Sequence, residues 1–168
     1  VQELNKLIEM PCNEPVLKRA ALFSALTGLR FSDIQRLTWD QVESFDDGYY
    51  IRFRQKKTGG IQYHPIPGDA LMFMGNLGKP DERIFKGLRY SAYSNKHLFQ
   101  WIGSAGITKN ITFHSFRHTF AVIQLANGTD IYTVSKLMGH RDLKTTEIYA
   151  KIVNSTKRDA MDRMKLNI

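Results

Sequence analysis

The chain has 168 residues, of which 42% are apolar and 24% are charged, values typical of a globular protein. Its single cysteine, Cys12, excludes an intrachain disulfide. No signal peptide is recognised, and no apolar run approaches the roughly 20 residues of a membrane span. We therefore expect a cytoplasmic location. The formal net charge of +8 favours a polyanionic partner, most simply nucleic acid, with a merely basic protein as the alternative.

Segments with apolar residues three to four positions apart are predicted to be helices. The first is a helix from Pro15 that ends at Gly28, and the second is a short helix from an N-cap at Ser32 through Leu37. Three further helices are predicted at residues 69–76, at Ser91 to Ser104 and at Phe113 to Ala126. The last two are a helix that is capped by Thr129 and Asp130 and runs through Leu137, and a helix that starts at Asp142 and carries Tyr149. Residues 1–10 are interpreted as the end of a linker, and residues 152–168 as a weakly amphipathic tail helix.

Two β-branched and aromatic segments predict a surface β-hairpin. They are Tyr49 to Arg54 and Ile61 to Ile66, joined by the turn Thr58-Gly59-Gly60. Residues Arg83 to Phe85 are predicted to form a short third strand. The expected fold is therefore one domain over residues 1–168, mainly α with a small antiparallel β-sheet (α+β).

Two arginines are candidates for holding a phosphate, because the planar guanidinium pairs bidentately with phosphate oxygens. They are Arg30 and Arg117. Arg30 opens a helix directly after Gly28, and a helix N-terminus favours an anion. Taken singly, Arg30 is more simply a solvated surface arginine, and Arg117 is more simply part of the polar face of its helix.

His114 and Arg117 are three residues apart and therefore share one face of their helix. Since Phe113, Phe116 and Phe120 supply the apolar side, we expect His114 and Arg117 to point to the opposite surface. The spacing of His114 and His118 can bind zinc, but no third ligand is evident, so no metal is expected. His118 is interpreted as a structural histidine bonded to the backbone.

His140 follows Gly139 at a predicted helix end, and Tyr149 lies nine residues later. Alone, His140 fits a turn at a helix C-terminus and Tyr149 fits a half-buried core aromatic. Together with Arg30, His114 and Arg117, these two residues form a set that suits phosphodiester transfer through a phosphotyrosine. Such a reaction requires positive side chains that neutralise the phosphate oxygens, a nucleophile and a proton donor.

Five segments resemble the catalytic domain of the tyrosine recombinases, to which phage integrases and the integrases of mobile elements belong. These segments are Thr27–Ile34, Leu37–Trp39, His114–Thr119, Leu137–His140 and Thr146–Tyr149. Each motif is weak alone, but jointly they are specific, and the resemblance covers roughly residues 5–160. It implies a DNA breaking-rejoining catalytic core.

The resemblance also implies the groups that hold the phosphate. Arg30 and Arg117 are implied to clamp it, and Asp33 is implied to support Arg30. His140 is implied to donate to a non-bridging oxygen. No cofactor and no metal are implied.

The groups that move protons follow from the same resemblance. Tyr149 is the implied nucleophile of a 3′-phosphotyrosine bond, and His114 the residue that assists removal of its proton. A lysine on the β-hairpin is implied to protonate the leaving 5′-oxygen. Lys57 in the Lys-Thr-Gly turn is favoured, with the adjacent Lys56 as a phosphate contact.

The resemblance implies double-stranded DNA as the partner and, in a bacterium, a nucleoid-associated protein. The N-terminal DNA-clamping domain usual in the family is not recognised in this sequence. The residues after Tyr149 are expected either to pack on a neighbouring protomer or to fold back in cis. Two alternatives stay open: a type IB topoisomerase, which uses a similar residue set, and a non-catalytic DNA-binding module of the same fold.

Overall fold

The computed structural model describes residues 1–54 and 60–153. Within these ranges the chain forms eight α-helices, a 3₁₀ turn at Trp39–Gln41 and one three-stranded sheet. The helices are α1 (Gln2–Glu9), α2 (Pro15–Thr27), α3 (Phe31–Arg36), α4 (Gly68–Leu71), α5 (Ala92–Ser104), α6 (Phe113–Ala126), α7 (Ile131–Leu137) and α8 (Lys144–Ile152). The expected mainly helical α+β fold is confirmed.

The sheet is antiparallel, with strand order β1 (Val42–Phe45), β2 (Gly48–Arg54) and β3 (Ile61–Ile66). Both predicted hairpin strands are confirmed, but the prediction of a third strand at Arg83 to Phe85 is wrong. Arg83 forms only an isolated bridge with Thr38. Ile84 and Phe85 fill the core from a turn, and the third strand is β1, which the short turn before Gly48 folds back onto β2.

The first ten residues are not the end of a linker. They form α1, whose Leu7 is buried, and the carbonyl of Leu7 accepts a hydrogen bond of 3.1 Å from Nε1 of Trp101 on α5. The helix has only eight residues, too few to be stable alone in water, so tertiary packing fixes it.

Most predicted helix boundaries are confirmed. Pro15 begins α2, and Gly28 ends it with φ of 71°. Ser91 and Asp130 cap α5 and α7 through side-chain oxygens that accept from Ser94 N and Thr133 N.

Two helices differ from prediction. The N-cap of α3 is Arg30 rather than Ser32, since Phe31 lies in the first helical turn with its ring edge-on to Phe113, centroids 4.9 Å apart. The predicted helix at 69–76 shortens to α4, because residues 72–74 continue as turns.

The helices and the sheet enclose two apolar clusters. The larger one surrounds α2 and takes in α5, the sheet and the start of α6. The smaller one lies between α6, α7 and α8, and it consists of Phe120, Ala121, Leu125, Val134, Met138, Tyr149 and Val153. The middle of α6 passes from one cluster to the other. No helix in the described ranges has the length and apolarity to cross a membrane.

Candidate active site

Arg117 is a buried residue in the middle of α6, with 3% of its surface exposed. Its guanidinium donates through Nη1 to the carbonyl of Gly28, at 2.5 Å, and through Nη2 to the carbonyl of Met138, at 2.6 Å. The expectation that Arg117 points to the solvent surface is wrong. Apolar clusters cover two sides of α6, and two backbone carbonyls replace water as partners of the charge.

Arg30 is exposed at the surface and is close enough to Arg117 for its charge to act on that side chain. Its Nη2 donates to the carbonyl of Gly139 at 3.3 Å, so both arginines contact the turn that follows α7. Burial first, and then the charge of Arg30, lower the pKa of Arg117 from 12.5 to about 10. The guanidinium of Arg117 stays charged at neutral pH, and two neighbouring guanidiniums make an attractive position for an anion.

Asp33 lies in the first turn of α3. Within the described residues it forms no ion pair with Arg30. Its negative charge acts instead on Arg117, where it works against the lowering of the pKa.

His140 stands in the turn after α7 and is held from two sides. Its backbone N–H donates to the carbonyl of Ser135, and its Nδ1 lies 2.8 Å from Oγ1 of the buried Thr146. Burial, followed by the charges of Arg117 and Arg30, lowers the pKa of His140 from 6.5 to about 4. The imidazole is therefore neutral at pH 7. When Thr146 donates to Nδ1, the proton of the ring sits on Nε2, which is then a hydrogen-bond donor.

Tyr149 on α8 is 4% exposed and belongs to the smaller apolar cluster. Burial raises the pKa of its hydroxyl, and the charge of Arg117 partly opposes that rise. The hydroxyl is hydrogen-bonded to Nδ1 of His118 on α6. The interpretation of His118 as a structural histidine bonded to the backbone is therefore wrong.

His114 lies one turn before His118 on α6. The two rings meet edge to face with centroids 4.3 Å apart. Burial and the charges of Arg117 and Arg30 lower the pKa of His114. In the described part of the chain, no group of three His, Cys, Asp or Glu side chains is arranged to hold a metal ion.

An open cleft of about 450 Å³ lies beside His114 and Arg117. Two exposed aromatic rings, Tyr90 and Phe99, line it together with Phe31. The cleft gives a bulky ligand access to Arg117.

The model of the phage integrase family matches residues 1–155. The chain belongs to the phage integrase family. Among curated relatives, tyrosine recombinase XerD of Lacticaseibacillus casei is 29% identical over 167 residues, covering 90% of this chain and 57% of that protein. Tyrosine recombinase XerA of Pyrococcus furiosus is 29% identical over 178 residues, covering 98% of this chain and 60% of that protein. The chain thus spans somewhat more than half the length of these relatives.

Solved structures of the family share the fold. The crystal structure of XerA recombinase superposes with a TM-score of 0.75 at 22% identity, covering 99% of this chain and 63% of that one. The catalytic domain of bacteriophage HP1 integrase gives a TM-score of 0.67 at 25% identity, covering 96% and 90%. The crystal structure of XerH recombinase bound to a palindromic difH substrate gives a TM-score of 0.70 at 18% identity, and the match covers 95% of this chain and 50% of that one.

The structure brings five of the predicted residues to one place. They are Arg30, His114, Arg117, His140 and Tyr149. The predicted hairpin lysines, Lys56 and Lys57, lie outside the described residues.

Sequence reasoning missed two supporting contacts in this phage integrase fold, those made by His118 and Thr146. His118 is four residues after His114, so the helix period alone puts both on one face. Thr146 is three residues before Tyr149 on α8, yet nothing in the sequence says that its hydroxyl meets His140.

Proposed function

We propose that this chain is the catalytic domain of a site-specific DNA recombinase that cuts and rejoins strands through a 3′-phosphotyrosine. One observation carries the proposal: four separate segments of the chain bring two arginines, two histidines and a tyrosine together, although the residues run from 30 to 149. A single such residue has many explanations. Charge neutralisation, a hydrogen donor and a nucleophile at one position match phosphodiester transfer.

The residues divide the reaction as follows. Arg30 and Arg117 neutralise the non-bridging oxygens, and His140 donates to one of them from Nε2. The oxygen of Tyr149 attacks phosphorus, the bond to the 5′-oxygen breaks, and the phosphotyrosine conserves the bond energy for rejoining. No cofactor takes part.

Double-stranded DNA is the proposed partner. The net charge of +8 and the cleft beside the arginines support it, and so does the similarity to XerH, which was crystallised with its difH substrate. We expect binding to weaken steeply with salt, since the phosphate contacts release counterions.

The decisive experiment is to trap the covalent adduct. A nicked suicide substrate prevents rejoining, so wild type should accumulate a protein–DNA band on SDS gels, and mass spectrometry should find the DNA on Tyr149. Tyr149→Phe keeps the buried ring and should bind DNA without forming an adduct. Tyr132→Phe is the matched control, because Tyr132 is exposed on α7, and it should react normally.

Other outcomes separate the alternatives. Excess EDTA should leave adduct formation intact, because arginines rather than a metal supply the charge. Relaxation of plasmids by a monomer without strand exchange would instead indicate a type IB topoisomerase. DNA binding without any adduct in wild type would indicate a non-catalytic module.

Lys57 is the proposed general acid, with Lys56 as a phosphate contact and Asp33 in support of Arg30. Lys57→Ala should be slow on ordinary DNA because an alkoxide leaves poorly, and it should recover on a substrate with a 5′-bridging sulfur, which leaves without a proton. Rescue of Lys56→Ala, with normal activity in Lys57→Ala, would reverse the assignment.

Self-association on DNA through residues 152–168 is the remaining part of the proposal. Apolar residues in this tail, among them Met161, Met164, Leu166 and Ile168, support it. Truncation after residue 155 should leave single-site binding intact and remove cooperative binding to two adjacent sites in gel-shift titrations. Unchanged cooperativity would contradict the proposal.

A further inference from the structure

The hydroxyl of Tyr149 meets a histidine that the family resemblance does not include in the site. His118 lies on the face of α6 that packs against α8, and its ring centroid is 5.2 Å from that of Tyr149. Its Nδ1 is hydrogen-bonded to the tyrosine hydroxyl, and it is the acceptor in the tautomer that carries the ring proton on Nε2. Among the described residues, no other hydrogen-bond partner of this hydroxyl is found.

His114, the residue implied to assist proton removal, occupies a different position. Its ring packs edge to face on the ring of His118 rather than on Tyr149. It is exposed, lies one helical turn before His118, and lines the open cleft together with Arg117. The geometry therefore separates the two histidines: His114 faces the phosphate position, and His118 faces the nucleophile.

The protonation states suit an exchange between His118 and Tyr149. Burial, and then the neighbouring His114 and Arg117, lower the pKa of His118, so its ring is neutral at pH 7 and has a nitrogen lone pair that can accept a proton. Burial raises the pKa of Tyr149. A buried phenol of this kind needs a nearby base to become a nucleophile.

We propose that His118 is the general base of the cleavage step. The proton of Tyr149 moves from Oη to Nδ1 of His118 as the Oη–phosphorus bond forms. The bond from phosphorus to the 5′-oxygen breaks, and that oxygen receives its proton from the general acid. In rejoining, the 5′-hydroxyl gives its proton back to the deprotonated general acid and attacks phosphorus, the Oη–phosphorus bond breaks, and His118 returns its proton to Oη.

This inference rests on the proposed function, since it assumes Tyr149 as the nucleophile. The first test uses His118→Gln and His118→Asn in single-turnover cleavage of the suicide substrate. Asn retains a side-chain oxygen near Nδ1 that accepts the tyrosine hydrogen bond but takes no proton. Both variants should bind DNA like wild type and cleave more slowly by on the order of 10²–10³.

His97→Gln is the matched control. His97 lies on α5 with its ring against Tyr93, centroids 4.3 Å apart, and it lines a separate cavity with Cys12 and Trp101. This variant should cleave at the wild-type rate. Wild-type rates in both His118 variants would overturn the proposal.

A second measurement separates proton removal from a purely structural role. Replacing Tyr149 by a polyfluorinated tyrosine lowers the pKa of the phenol, so that it ionises without a base. The rate loss caused by His118→Asn should then shrink by at least about tenfold, as expected for general base catalysis. An equal loss with the natural and the fluorinated nucleophile would show that His118 only supports the fold.

The two proposals fail separately. If Tyr149→Phe still forms the adduct, the proposed function is wrong, whatever His118 does. If the adduct depends on Tyr149 but not on His118, only the general base is wrong. In that case His114→Gln should slow cleavage instead, and its rate loss should shrink when Tyr149 is replaced by the fluorinated tyrosine.

Discussion

At the scale of single residues, the two arginines of the site have different physical tasks. Arg117 is buried and bonded to two carbonyls, whereas Arg30 is exposed and bonded to one. A buried charge with satisfied donors is part of the fold. Arg117 therefore ties the end of α2 to the end of α7, in addition to its proposed contact with the phosphate.

We predict that substitutions of the two arginines change the free energy of unfolding by different amounts. Arg117→Ala leaves the carbonyls of Gly28 and Met138 without their donor and should lower the free energy of unfolding by about 2 kcal/mol or more. Arg30→Ala should change it by less than about 0.5 kcal/mol. Urea unfolding without DNA measures both. Equal losses would mean that the bonds of Arg117 contribute nothing to the fold.

The contact between Thr146 and His140 gives a second prediction. Thr146→Val keeps the volume but removes the hydroxyl that meets Nδ1, so the ring loses control of its tautomer and orientation. Cleavage should fall on the order of 10–100-fold, as for other groups that orient a catalytic histidine. DNA affinity should be unchanged, and Thr146→Ser should retain the activity.

Thr145→Val is the control for Thr146→Val, because Thr145 is the exposed neighbour on the same helix. It should cleave at the wild-type rate. A normal rate in Thr146→Val would mean that His140 keeps its orientation through its backbone alone.

At the scale of elements, the C-terminal end of α2 packs tightly against α6 at Gly28. This residue has φ of 71°, and a Cβ there would lie 2.5 Å from Cδ1 of Phe120 on α6. Its carbonyl also accepts from Arg117. The end of α2 is therefore fixed by backbone conformation, ring contact and the site arginine together.

We predict that Gly28→Ala lowers the free energy of unfolding by about 2–4 kcal/mol, because a left-handed backbone and an overpacked ring are both costly. Gly128→Ala is the matched control. Gly128 also has positive φ, 89°, but a Cβ added there would meet no atom within 4 Å. Gly128→Ala should lower the free energy of unfolding by only about 1 kcal/mol. Equal losses would mean that Phe120 moves aside freely.

The sequence predicts elements well where local chemistry decides them. Pro15, Gly28, Ser91 and Asp130 mark helix ends through backbone conformation or caps, and these ends are where they were expected. It predicts poorly where packing decides. The helix α1 depends on the burial of Leu7 against Trp101, and Arg117 is buried because apolar clusters enclose α6 on two sides. Its partner carbonyls come from distant loops, which no periodicity reveals.

At the scale of the whole molecule, four histidines have pKa values lowered first by burial: His64, His114, His118 and His140. The folded chain therefore binds protons less readily than the unfolded chain, whose histidines titrate near 6.5. Stability conferred by such groups is present above pH 6.5 and is lost as the pH falls.

We predict that the melting temperature falls steadily from about pH 6.5 towards pH 4, the pKa of His140. Sulfate should oppose this loss by binding at the arginines, and its effect should grow on acidification as His140 and His114 become charged. Scanning calorimetry with sulfate and with chloride at equal ionic strength measures both effects. A melting temperature that is constant or rises towards pH 4 would contradict the prediction.

The position of Tyr149 in the smaller apolar cluster has a mechanical consequence. In the proposed phosphotyrosine state, the DNA would be tied to a core side chain of α8 rather than to a surface loop. Tension or torque in the DNA is then borne first by the contacts of α8 with α6 and α7. In an optical trap, the rupture force of the covalent complex should therefore report the cohesion of these three helices.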